Sequence, residues 1–102
     1  MKIAVSSYSF HRLTDQGKIT EEELIPLAKK MGFDAIEFAE IHPKERETKI
    51  DCASRLRERS EKEGLPIVNY ALGADFLYGS DGDLSKEIER LCAEVDVADR
   101  LG

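Results

Sequence analysis

The chain has no tryptophan, only two cysteines and three prolines, and no excess of positive charge. Each shortage excludes something. No apolar run approaches the roughly 20 residues that a membrane helix requires. The opening "MKIAVSSYSFHR" has too short an apolar stretch for a signal peptide, so a cytoplasmic location is expected. Cys52 and Cys92 are too few and too far apart to form a disulfide framework, and neither sits in a CxxC pair that would suggest structural zinc. Both read as small buried apolar groups. Fifteen Lys and Arg against 21 Asp and Glu leave a net charge of −6, which argues against the basic stripe of a nucleic-acid binder. The phosphate and dinucleotide fingerprints GxGxxG and GxxxxGK[ST] are missing, as is the nucleophile motif GxSxG.

What is present is a folded composition. Apolar residues make up 41% and charged residues 35%, a balance that supports a core and argues against disorder. A length of 102 residues allows one domain or part of one.

Three short runs carry Ile, Val, Phe or Tyr with strand-like character: Lys2 to Tyr8, Asp34 to Ile41 and Pro66 to Leu72. Their first residues fall at positions 2, 34 and 66, a constant interval of 32. Helical patterns fill the intervals. Thr20 and Glu23 have the spacing of a capping box, with Leu24, Ile25, Ala28 and Met31 forming a stripe that Gly32 ends. Pro26 removes one helical donor, and a bend or a late start is expected there. Thr48 opens a second, highly charged helix with a thin stripe of Ile50, Ala53 and Leu56. The third pattern is the clearest: Leu84, Ile88, Leu91, Cys92, Val95, Ala98 and Leu101, with Asp81 or Asp83 as its cap.

The order β-α-β-α-β-α implies parallel strands joined by right-handed crossovers. An eight-fold barrel of about 250 residues allots about 31 to each unit, close to the spacing here. An open doubly wound sheet has similar units. The first two runs alternate a strongly apolar face (Ile3, Val5; Ile36, Phe38) with a small or polar one (Ala4, Ser6; Ala35, Glu37, Ala39), as a barrel wall would. The third run alternates less clearly. The expected fold is therefore α/β, three consecutive βα units resembling an incomplete (β/α)8 barrel, with residues 1–102 as a single partial domain. "AKKMG", "SEKEG" and "ADRLG" are the same helix-ending punctuation, and the last would be followed by a fourth strand. Three units leave strand edges bare, and self-association through those edges is a further expectation.

Barrel chemistry gathers at the carboxyl ends of strands. There the chain places Tyr8, Ser9, Phe10 and His11, then Glu37, Glu40 and His42, then Asn69, Tyr70, Asp75 and Tyr78. A mid-strand carboxylate such as Glu37 needs a partner or a ligand. His11, Glu40 and His42 have donor atoms suited to manganese or zinc, but their spacing is no metal signature, and no metal ligand is assigned. "GSDGD" lacks the full ligand pattern of a calcium loop and reads as a turn and helix cap.

"SSYSF", "MGFDAIEF" and "GLPIVNYALGADF" resemble the N-terminal part of the sugar phosphate isomerase/epimerase family, the xylose isomerase-like TIM barrels. The resemblance spans essentially the whole chain, and its best-matched element is Gly32 to Glu37. It implies a metal-dependent isomerase or epimerase acting on a sugar or related polyol, with Mn, Mg, Co or Zn bound by Glu, Asp and His of later strands. None of those strands is present, so no bound metal is expected on this chain and its catalytic residues are unknown. The resemblance implies a substrate-pocket wall built from Tyr8, Ser9, Phe10, Glu37 and His42, inactive alone. Two alternatives stand beside it: a non-catalytic module that completes its sheet with another chain, and a metal-dependent abasic-site endonuclease of the same superfamily.

Overall fold

The computed structural model describes residues 2–72 and 82–102. Asp75 and Tyr78, and Asp81 as a cap, lie outside the described residues. Three parallel strands, β1 (Ala4–Ser6), β2 (Ala35–Ala39) and β3 (Ile67–Ala71), form one sheet in the order β1-β2-β3. Among the described residues four α-helices accompany them: α1 (His11–Asp15), α2 (Glu21–Lys30), α3 (Lys49–Glu63) and α4 (Leu84–Leu101).

Local chemistry explains the boundaries. Thr20 and Glu23 form the expected capping box, Oγ accepting from the Glu23 amide at 3.2 Å and Glu23 Oε1 accepting from the Thr20 amide at 3.1 Å. Pro26 lies inside α2, which starts on time at Glu21 and so shows no late start. Thr48 caps α3 by accepting from the Asp51 amide at 3.1 Å, and Gly64 ends that helix in the left-handed region at φ 68°. Asp83 caps α4 through the Lys86 amide. The first strand is shorter than its apolar run, because Ser6 accepts from the Tyr8 amide and turns Ser7–Phe10 into a 3-10 segment that leads into α1.

A strictly sequential strand order with right-handed crossovers carries successive helices to the same side of the sheet. In agreement, one core cluster joins Val5, Ile36 and Phe38 of the sheet to Leu24, Ile25 and Ala28 of α2, Cys52, Ala53 and Leu56 of α3, and Val97 and Leu101 of α4. Ile36 and Phe38 are fully buried, as their alternation predicts. Ile3, placed on the same face by its sequence position, is instead 54% exposed, and it lies just before β1 proper.

The third strand resolves its ambiguous pattern. Ile36 pairs with Ile67 but Glu37 pairs with Asn69, so Val68 is an extra residue. That slip puts Ile67 and Tyr70 on the helix side, packed against the core, and turns Asn69 and Ala71 to the other face.

The expected stripe on α4 is a larger correction. Of its members Leu101 is buried as expected and Leu91 and Ala98 are half-buried, but Leu84, Ile88 and Val95 are 47–67% exposed and Cys92 is also exposed, whereas Glu87, Glu94 and Val97 are buried. Apolar periodicity located the helix but not its buried face. Glu94 is accommodated because it accepts from both Tyr70 Oη and Lys49 Nζ, and Glu87 because Arg90 Nε reaches it at 2.7 Å. Burial pushes the Glu94 carboxyl upward, but the Lys49 and Tyr70 bonds outweigh that and hold it below its ordinary value. Among the described residues no helix is long and apolar enough to cross a membrane.

Candidate functional site

The face of the sheet opposite the core carries a different set of side chains. Ser6 is the register partner of Glu37, and Glu37 of Asn69. Parallel register partners lie side by side on one face, so a hydroxyl, a carboxylate and an amide form a polar row across all three strands. Alanines flank the row, with Ala4 beside Ala35 on one side and Ala39 beside Ala71 on the other. Glu37 is half-buried. The row was only partly legible, since the sequence singled out Glu37 and Asn69 separately without the Val68 slip that aligns them.

At the carboxyl ends the strands are tied together. Ser7 Oγ, buried, accepts from the Ala39 amide at 2.9 Å and so joins the exit of β1 to the exit of β2. The Glu40 amide donates to the Ala71 carbonyl at 2.8 Å, joining β2 to β3. Glu40 itself sits at φ 58°, a left-handed conformation costing a non-glycine residue about 1–2 kcal/mol. Such strain concentrates where a chain must present particular groups.

The 3-10 segment sets Tyr8 over this mouth. Its ring stacks on His11 with centroids 4.6 Å apart and planes 13° from parallel. His11 Nδ1 lies 2.8 Å from the Tyr8 carbonyl. A carbonyl only accepts, so Nδ1 carries a proton. His42 is held from the other side: Glu21 accepts from its amide at 2.7 Å, and the second Glu21 oxygen lies 3.4 Å from Nδ1. A cleft of about 210 Å³ runs between Tyr8, His11, Asp15, Glu21 and His42. It continues into a second of about 320 Å³ bounded by Thr20, Glu22, Lys44 and Arg55. Tyr8 also borders a shallower hollow of about 330 Å³ above Ala39, Glu40, Ala71 and Leu72.

Of the five candidate wall residues, the structure brings Tyr8 and His42 to one cleft. Glu37 stands apart in the polar row, Ser9 is exposed, and Phe10 is half-buried and packs against the core. Sequence reasoning missed Glu21, which lies in the first turn of α2. It also missed Arg55, which is held by Glu47 through Nε and Nη2 at 3.0 and 3.1 Å, with Glu22 at 3.7 Å. The Arg55 hydrogen bonds hold the Glu47 carboxyl down to about 2.

No family model matches the chain, and neither a curated protein nor a solved structure gives a significant match.

Chemically, the cleft offers imidazole, phenol and carboxylate groups within reach of one another. These hydrogen-bond hydroxyl-rich molecules well. Among the described residues no group of three or more His, Cys, Asp or Glu side chains converges in a way that could hold a metal ion. No step through a metal is therefore assigned to these residues.

Proposed function

We propose that this segment forms the first three βα units of a sugar or sugar-phosphate isomerase/epimerase-like TIM barrel, and that it supplies substrate-pocket wall without the catalytic centre. The single observation that carries this reading is the division of the sheet. All three long helices share a core on one face, while the other bears the row Ser6, Glu37 and Asn69 between alanines. A sheet covered on both faces would fill that row with apolar groups. A polar layer suits the inside of a barrel near its carboxyl-end mouth, where substrates bind. Tyr8 and His42 then stand at the rim and Glu37 lower in the lumen, and a polyol would hydrogen-bond to both levels. The divalent metal of such an enzyme, from Mn, Mg, Co or Zn, would be bound by residues of further strands, and it would polarise substrate oxygens there.

The test is a titration of the isotopically labelled chain with aldose and ketose phosphates and with neutral polyols, read by amide chemical shifts. Weak binding with shifts centred on Ser6, Tyr8, Glu37 and Asn69, lost in Glu37→Gln, is expected, with no turnover whether or not a divalent metal is added. Shifts confined to other residues, or binding indifferent to Glu37→Gln, would overturn the assignment of the wall. Turnover by this chain would overturn its non-catalytic role.

A further inference from the structure

The charge along this wall decides which part of a ligand it can meet. The two connected clefts share Asp15 and Glu21, and the larger adds Glu22. Against these carboxylates stand Lys44 and Arg55. Arg55 is already committed: Nε and Nη2 donate to Glu47, and Nη1 lies 3.7 Å from Glu22. Lys44 is exposed, so water and salt screen its charge. Strand β2 and its exit bring two more carboxylates, Glu37 in the polar row and Glu40 beside Tyr8.

Glu21 is the most firmly placed of the cleft carboxylates. Its side chain is 15% exposed. Oε1 accepts from the His42 amide, and Oε2 lies 3.4 Å from His42 Nδ1. A carboxylate so enclosed is screened less than one in open water. The helix end beside it is closed to anions as well. Thr20 borders the larger cleft at the N-terminus of α2, where free amides would ordinarily attract a phosphate. Here Thr20 Oγ accepts from the Glu23 amide and Glu23 Oε1 from the Thr20 amide. Glu21, Glu22 and Glu23 fill the first turn with negative charge. Hydrogen bonding points the same way. A sugar hydroxyl donates to a carboxylate, whereas the oxygens of a phosphate dianion only accept.

We infer that this wall selects by charge: it takes the uncharged, hydroxyl-bearing part of a ligand and turns a phosphate group away, with Glu21 as the specificity-determining residue. The inference rests on the sugar-binding reading above and narrows it. A phosphorylated substrate keeps its phosphate clear of these residues, held by other parts of the barrel.

The test is a pair of titrations of the labelled chain, one with D-fructose and one with D-fructose 6-phosphate, read at the amides of Tyr8, Glu21 and His42. At low salt the phosphate ester should bind about tenfold more weakly or worse, and the ratio should narrow at high salt. Glu21→Gln should narrow it too, as should Asp15→Asn at an exposed position where folding is spared. Glu45→Gln removes the same charge from an exposed residue that borders neither cleft, and it should leave the ratio unchanged. A merely structural effect of Glu21→Gln would weaken both ligands alike and leave the ratio where it was, which would overturn the role of Glu21. So would an equal change in Glu45→Gln. A phosphate ester bound as tightly as the free sugar would overturn the charge selection and leave the wall standing. No shifts with either ligand would overturn the wall, and the selection with it.

Discussion

Replacing Lys49 by methionine tests how the buried carboxylate on α4 is tolerated. Glu94 has a side chain 7% exposed, and its cationic partner Lys49 is 38% exposed. Removing one member of a fully buried pair typically costs 3–5 kcal/mol. Here the ammonium is partly solvated and Tyr70 Oη still donates, so a loss of about 2 kcal/mol at neutral pH is expected, or roughly 10 °C in Tm for a chain of this size. The pH dependence fixes the mechanism. The wild-type Glu94 carboxyl is held below its ordinary 4.5 in the fold. Its contribution is therefore present above that value and is lost as pH falls through the depressed folded one. Without Lys49 that carboxyl rises and the contribution disappears. The gap between variant and wild type in urea denaturation should then be widest near neutrality and shrink toward about pH 3. The double replacement Lys49→Met with Glu94→Leu should recover part of the loss, since no buried charge is left unpaired and only the half-buried Tyr70 hydroxyl loses its acceptor. A gap constant across pH would refute the electrostatic account, as would a double variant no better than Lys49→Met alone.

The two thiols should differ in reactivity. Burial pushes the Cys52 thiol up to about 11, while Cys92 is exposed on α4, so a thiol reagent should titrate one group in the native chain and two after unfolding. Thr20→Ala removes the oxygen that caps α2 and should cost about 1 kcal/mol in denaturant unfolding, with Thr20→Ser close to wild type.

Much of the fold was legible because its signals are local. The Thr20–Glu23 box and the glycine ending α3 depend on neighbours within a turn or two, and each was realised, while the strands start at Ala4, Ala35 and Ile67, 31 and 32 residues apart against the expected 32. Faces were less legible because they depend on what lies across the fold. The α4 stripe has good helical period, yet the buried side is chosen by contacts with α3 and β3, where Lys49 and Tyr70 make Glu94 acceptable. Cys92, read as a buried group, went outward with that stripe. The site divided in the same way. Tyr8 and His42 could be located from strand ends alone, but Glu21 reaches His42 across 21 residues of sequence, and no local pattern encodes that.

The single surplus residue in β3 has a wider consequence. The ladder sets Val68 aside as a bulge, and with that surplus residue absorbed the Tyr70 hydroxyl meets Glu94 while Asn69 stands next to Glu37. Deleting Val68 would leave every one of those meetings intact, since it removes the surplus alone. Inserting one more residue before Asn69, with the ladder forced to absorb it as ordinary strand, would send the phenol out among the alanines and leave the carboxylate on α4 without its hydroxyl. Spacing along this strand is thus tolerant in one direction and unforgiving in the other.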